Sequence, residues 1–496
     1  MLLAADLAAF RRDVEEAEDV IAMSLNRISG GDVVRGAWGT EVRVGQTFWG
    51  FAEQAYPGGP RTSTFLAGDL EQELSEAIAS RVNRLSVIDR SAAQDWVDAH
   101  PEFATMIGLI DPQTATKMYA GMAAESTRAV VDGEEEAWGT GPLAQLFAVA
   151  PFAIGTLNGA PATARDEFNR ETLRRVLADS TSTEEQRTAA EQTQKGLERA
   201  QESSPDGTVV QLVALELPDD GGERDMRAAI SVGDLDTARH VGVMIPGMDS
   251  SVAVSMDGLV GNAVNMQDAH VRIGNAEATA TVVWMGFESP GADPLSQEFF
   301  AEEHLAKKGA PLLVRFLNGV DVANPAAETT VHAHSYTTRL ATYALGSSQF
   351  GGAEVDHLVM YGSPGIAESV RTVDDLVGVP PDEVYSTKSV GDQLEIPLDD
   401  VSGVPGYVDD MSSTGDEGQA GLAEVGEQWS DVRGEDNVDP NDASFWAGRE
   451  PNVFESDGVL GHSADRTKGS DGYWSRGSDS IKDGARITAG RGNEVR

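Results

Sequence analysis

The chain has 496 residues, enough for two or three domains. Its 37 basic and 81 acidic residues give a formal charge of −44. That balance excludes the basic footprint of a nucleic-acid binder and disfavours docking on anionic lipid. With no cysteine, disulfides, thiolate metal ligands and cysteine nucleophiles are excluded. The hydrophobic share of 40% is ordinary for a folded soluble chain. The acidity therefore reads as a solubility adaptation to a salt-rich habitat or a GC-rich genome. No apolar run approaches the roughly 18 residues of a membrane span. Met1-Leu2-Leu3-Ala4-Ala5-Asp6 turns acidic at once and has no basic n-region. The expected location is the cytoplasm, or outside the cell by a route without a recognisable signal peptide.

Residues 1–150 read as a largely helical N-terminal domain. Leu2 to Ala22, Gly68 to Leu85 and Ala92 to Leu109 carry apolar residues at helical spacing. Pro57-Gly58-Gly59-Pro60 and Gly139-Thr140-Gly141-Pro142 break this half into pieces. Residues 151–206 read as a helical lead-in or linker. Ser180 to Ala200 within it is rich in Glu, Gln and Ala and reads as an exposed helix, closed by Ser203-Ser204-Pro205-Asp206-Gly207.

From 207 to 398 the pattern changes. Strands are expected at Val209 to Leu217, His240 to Ile245, Ala278 to Phe287, Thr329 to Ala333, Leu358 to Tyr361 and Val384 to Lys388. Helical stretches alternate with them, notably Ser296 to Leu317 and Tyr336 to Leu345. This alternation implies an α/β fold with a doubly wound, mostly parallel sheet, whose ligands bind outside the carboxyl ends of the strands. Residues 399–457, rich in Asp, Glu, Gly and Ser, read either as a lid or loop over the site or as a disordered acidic insertion. Residues 458–496 form a C-terminal segment with a loop and a final helix.

Thr329-Thr330-Val331-His332-Ala333-His334-Ser335-Tyr336-Thr337-Thr338-Arg339-Leu340 joins a β-branched run to a helix through a serine. That is the layout of a nucleophile elbow, the strained strand-to-helix turn that presents a serine Oγ. The consensus is Gly-x-Ser-x-Gly, and here the flanking positions are Ala333 and Thr337. Alanine fits such a turn easily, threonine less so. A serine hydroxyl needs a base, and the base needs an acid to orient it. In this class the chain order is serine, then acid, then histidine. Of the eight histidines only His357 and His462 follow Ser335. His357 leads into a strand, which is the wrong end, so His462 is the candidate base. Asp392, just past a strand and after Gly391, is the candidate acid, with Glu395, Asp399 and Asp400 as rivals.

For the oxyanion hole, one backbone N–H comes from the residue after the nucleophile, Tyr336. The other is expected from the loop Pro246-Gly247-Met248-Asp249-Ser250-Ser251, with Met248 the candidate donor. His334, adjacent to Ser335, should point to the other side and pack beneath the elbow. His332 and His334 alternate like zinc ligands, but no third ligand accompanies them. The glycines around Gly242 and Gly247 form no dinucleotide fingerprint. No cofactor or metal is expected.

These pieces, in this order, resemble an actinobacterial α/β-hydrolase family long catalogued as a domain of unknown function. The likeness runs over residues 155–490. It is carried by Leu157-Asn158-Gly159-Ala160-Pro161-Ala162-Thr163-Ala164-Arg165-Asp166-Glu167-Phe168-Asn169-Arg170, by Val241 to Ser251 and by His334-Ser335-Tyr336. Gly362-Ser363-Pro364-Gly365, Gly391-Asp392, Gly461-His462-Ser463 and Gly477-Ser478-Asp479-Ser480-Ile481 continue it. Where the family has Gly-His-Ser-Tyr-Gly, this chain ends the motif with Thr337. The resemblance implies Ser335, Asp392 and His462 as nucleophile, acid and base of a serine hydrolase acting on a small-molecule ester. Two other readings belong to different classes: a non-catalytic binding or structural protein that keeps the fold, and a secreted effector whose helical N-terminal half serves delivery or binds a protein partner.

Overall fold

The computed structural model describes residues 62–100, 103–131, 134–217, 226–275, 277–290, 303–346, 352–388, 438–455, 459 and 472–495. The expected helix at Leu2 to Ala22 and the turn at 57–60 lie outside the described residues.

The N-terminal helices are α1 (Thr62–Leu85), α2 (Arg90–Ala99), α3 (Pro112–Ala124) and α4 (Pro142–Val149). The single helix expected over Ala92 to Leu109 is broken at its centre. Pro101 follows His100, and α2 ends at Ala99 before short turns take over. Asp111 caps α3 by accepting the Thr114 N–H at 2.9 Å, with Pro112 at the first helical position. This half also holds an antiparallel hairpin, β1 (Thr127–Val131) with β2 (Glu134–Thr140), where sequence reading expects helix. Leu85, Ile107, Leu143, Leu146 and Ile154 are fully buried in its core.

That core is continuous with the sheet through α5 (Ala162–Ala178). Phe168 of α5 packs among the N-terminal helices, while Leu173 and Val176 face a second core with β3 (Val210–Glu216). The N-terminus of α5 is capped from outside the helix. Asp236 accepts from the Ala162 N–H at 2.6 Å, the Thr163 N–H at 2.8 Å and the Thr163 hydroxyl at 2.7 Å. A carboxylate on these orphan donors also meets the positive end of the helix dipole. The lead-in before α5 is a docking turn. Gly159 has φ +98, and a Cβ there would collide with the Pro112 backbone. Arg165 is buried on Asn158 Oδ1 at 3.0 Å, and burial lowers its pKa to about 10.

The helix expected as exposed at Ser180 to Ala200 is α6 (Glu184–Ser203), opened by a capping box between Thr183 and Gln186. One face of it is buried: Ala189, Ala190, Leu197 and Ala200 pack toward α7 (Val252–Arg272). Small residues on this face let the two helices approach closely, which hydropathy alone conceals.

The sheet has eight strands in the order β10-β9-β8-β7-β5-β6-β4-β3. They are β3, β4 (Arg227–Val232), β5 (His240–Ile245), β6 (Thr279–Met285), β7 (Glu328–His334), β8 (His357–Tyr361), β9 (Val384–Lys388) and β10 (Val453–Glu455). Pairing is parallel from β10 to β6 and antiparallel on both sides of β4, which the sequence reading lacks. The strands β5 and β8 are buried at every residue, as befits a sheet covered on both faces. Covering helices include α8 (Glu303–Ala323), α9 (Thr337–Gly346) and α10 (Asp479–Thr488).

The end of the acidic segment 399–457 differs from a lid or disordered insertion. Phe445 and Trp446 are fully buried in the main core, the Val373 N–H donates to Phe445 O at 2.7 Å, and β10 extends the sheet. Residues 399–437 lie outside the described residues. No described helix is long and apolar enough to cross a membrane.

Candidate active site

Two adjacent parallel strands, β5 and β7, end side by side, with Ile245 in register with Ala333. Past these ends lie the loop 246–251 and the turn into α9. At that turn Ser335 has φ +56, one of three non-glycine residues with positive φ among the described residues. A serine pays steric energy to sit in this left-handed region, of order 1–3 kcal/mol for a strained residue of this kind. The surroundings hold it there. The Ser335 N–H donates to Tyr361 O, the last residue of β8, at 2.9 Å, and Ser335 O accepts the Thr338 N–H at 3.0 Å. The Thr338 hydroxyl lies 2.9 Å from Ser335 O, 2.8 Å from the Ser363 hydroxyl and 2.9 Å from Gly365 O. The turn is thus tied to Gly362-Ser363-Pro364-Gly365, one of the segments that carried the resemblance. Ser335 itself is 1% exposed.

The loop after β5 passes directly against the serine. A Cβ placed on Gly247 would lie 2.9 Å from Ser335 Cβ and 3.1 Å from His334 Nδ1, so only glycine lets the backbone through. Beyond it Asp249 also has positive φ, +58, and its N–H donates to Pro290 O at 2.8 Å. Ser289, on the loop after β6, donates its hydroxyl to Gly247 O at 3.2 Å. This second loop braces the first from behind. Met248 is half-buried against the main core.

Thr337 causes no crowding. It is fully buried, and its hydroxyl lies within hydrogen-bond distance of three backbone groups at the ends of β5 and β7. Tyr336 projects the other way, and its hydroxyl accepts the Ala306 N–H in the first turn of α8 at 2.9 Å. That bond satisfies one of the orphan donors of a helix N-terminus.

The histidines separate by environment. His334 is buried, with its ring 5.5 Å from Trp474 and 5.7 Å from Tyr473. His357, at the start of β8, pairs with Glu383 at 2.9 Å, at the opposite end of the sheet from Ser335. His332 is fully buried in β7, with Nδ1 3.0 Å from the Tyr361 hydroxyl and Nε2 2.8 Å from the Thr488 hydroxyl of α10. Burial first, then the neighbouring His270 and His357, push its pKa down to about 3, so it is neutral and structural. The described residues contain no cluster of three or more metal-ligating side chains.

Of the residues that sequence reasoning selects, Ser335, Tyr336 and the Gly247-Met248 turn meet at the ends of β5 and β7. Asp392 and His462 lie outside the described residues, as do Glu395, Asp399 and Asp400. Sequence reasoning misses Ser289 and Thr338, whose roles arise from backbone groups brought together only by folding. For Thr337 the signal was present, a hydroxyl in place of a glycine.

Residues 220–398 match the profile of a family described as alpha/beta hydrolase. This stretch carries β4 to β9 and the whole Ser335 turn, and the chain has the α/β-hydrolase fold. An uncharacterized protein of Mycobacterium tuberculosis is 30% identical over 251 residues, covering 45% of this chain and 37% of that protein. An uncharacterized protein of Mycobacterium bovis is 30% identical over 179 residues, covering 34% of this chain and 63% of its own length. The chain therefore spans less than two thirds of the length of these relatives. Among solved structures, a hyperthermophilic esterase from the archaeon Pyrobaculum calidifontis is similar at 11% identity with a TM-score of 0.31, over 66% of this chain and 97% of that one.

Proposed function

We propose that the protein is a serine hydrolase that cleaves small-molecule esters through an acyl-enzyme on Ser335. The observation that carries this reading is the left-handed backbone of Ser335 at a strand-to-helix turn, packed against the glycine of the loop that follows the neighbouring strand. Holding a serine in a strained conformation costs stability, and active sites are where such strain is kept. Ser335 Oγ attacks the ester carbonyl carbon while its proton passes to the His462 imidazole. The tetrahedral oxyanion is held by the N–H groups of Tyr336 and Met248. The C–O bond to the alcohol then breaks, and His462 returns the proton to the leaving alkoxide. Water repeats the sequence on the acyl-enzyme, releasing the acid and free Ser335. Asp392 orients His462 and stabilises the imidazolium.

Hydrolysis of p-nitrophenyl esters of graded acyl length by the wild type and Ser335→Ala tests the proposal. Turnover by the wild type should fall by at least about 10³-fold in the variant. Equal turnover by both would sink it.

A further inference from the structure

Thr337 stands where the elbow consensus has its second glycine. Its Oγ1 accepts the His334 N–H at 3.1 Å and lies 2.9 Å from both His334 O and Ile245 O. A hydroxyl has one proton, so it donates to one of these carbonyls at a time or shares the proton between them. Ile245 is the last residue of β5 and His334 the last of β7. The first strand runs straight into Pro246-Gly247-Met248 and the second into Ser335. The hydroxyl therefore clasps the two strand ends from which the serine and its facing loop are launched. A glycine in its place would leave the Ile245 carbonyl and the His334 N–H without this partner. The clasp also acts where tolerance is small, since Gly247 admits no Cβ against Ser335.

We infer that Thr337 is a positioning residue whose hydroxyl sets the separation between Ser335 and the 246–248 loop. The inference rests on the reading of Ser335 as nucleophile. Thr337 is fully buried beneath the turn, so it acts on the alignment of the reacting groups rather than on substrate binding. Its loss lowers kcat and leaves KM nearly unchanged.

The test uses the full chain, with p-nitrophenyl butyrate turnover and the rate of fluorophosphonate labelling measured side by side. Thr337→Val keeps the volume and removes the hydroxyl. Its kcat and labelling rate should both fall by about tenfold or more, with KM within about threefold. Thr337→Ser restores the hydroxyl and should stay within about threefold of wild type, whereas Thr337→Gly, which supplies the second glycine of the consensus elbow, should be as impaired as the valine variant. A valine variant within about twofold of wild type overturns the inference, as does a glycine variant at full rate or a serine variant that falls as far as valine. If circular dichroism shows that the valine variant does not fold, serine against glycine decides by the same criteria. A wild type that neither turns over ester nor labels overturns the hydrolase reading and this inference with it. An active wild type with an indifferent Thr337→Val overturns this inference alone.

Discussion

Adding a single methyl group at Gly247 tests whether the loop after β5 works against Ser335. The Cβ of Gly247→Ala would sit 2.9 Å from Ser335 Cβ, 3.1 Å from His334 Nδ1 and 3.3 Å from His334 O. Ordinary contact begins at 3.4 Å, so the loop and the elbow must part by about 0.5 Å. Neither neighbour is the free end of a flexible side chain. Ser335 is pinned by its bond to Tyr361 O, and the His334 carbonyl belongs to β7. The loop must move instead, and it is braced from behind by Ser289 and Pro290. Overpacking of this kind costs about 1–3 kcal/mol of stability. Moving a backbone donor off the developing oxyanion costs about 10²–10³ in kcat. The expected result is a fall in kcat of about 100-fold, with KM changed far less and urea unfolding shifted by no more than a few kcal/mol. Steady-state ester hydrolysis beside urea titration separates the two effects. A kcat within about threefold of wild type would refute the idea that this loop supplies oxyanion stabilisation.

Other expectations follow from groups away from the serine. His332 and His270 are buried with pKa values pushed down to about 3 and about 4, by burial first, and both take up a proton on unfolding below about pH 6.5. Stability should be level above that pH and fall as pH drops toward 4, by roughly 2–3 kcal/mol per unit near pH 5 if both contribute; equal urea midpoints at pH 8 and pH 5 would contradict this. His270 has neither ring nitrogen hydrogen-bonded among the described residues. His270→Leu should therefore roughly halve the slope, and an unchanged slope would remove His270 from the account. Asp236→Ala takes the cap from α5 and should cost about 1–2 kcal/mol in urea titration, and an unshifted midpoint would show that the cap does not hold the lead-in.

The alternation of strand and helix after residue 207 was legible because β5, β7 and β8 are buried on both faces and rich in β-branched and apolar residues. Ser335 was legible because strand, serine and helix follow one another in sequence. What escaped reading has physical causes. The strand β4, Arg227 to Val232, holds two alanines and pairs antiparallel between neighbours the sequence does not order. The hairpin strand β2 opens with Glu134, Glu135 and Glu136, a residue type depleted in strands. The strand β10 is three residues long within an acidic segment and is defined only by its pairing with β9. Thr337 was visible as a departure from glycine. That its hydroxyl closes the gap between two strand ends depends on Ile245, 92 positions away.

The proposed mechanism requires Ser335 to be an activated nucleophile served by His462. The most direct measurement is treatment of the purified chain with a fluorophosphonate, followed by mass-spectrometric mapping of the adduct in the wild type and in His462→Ala. One adduct, on Ser335, should form in the wild type and be lost in the variant. A folded wild type that takes no adduct, or one labelled equally well without His462, would contradict it.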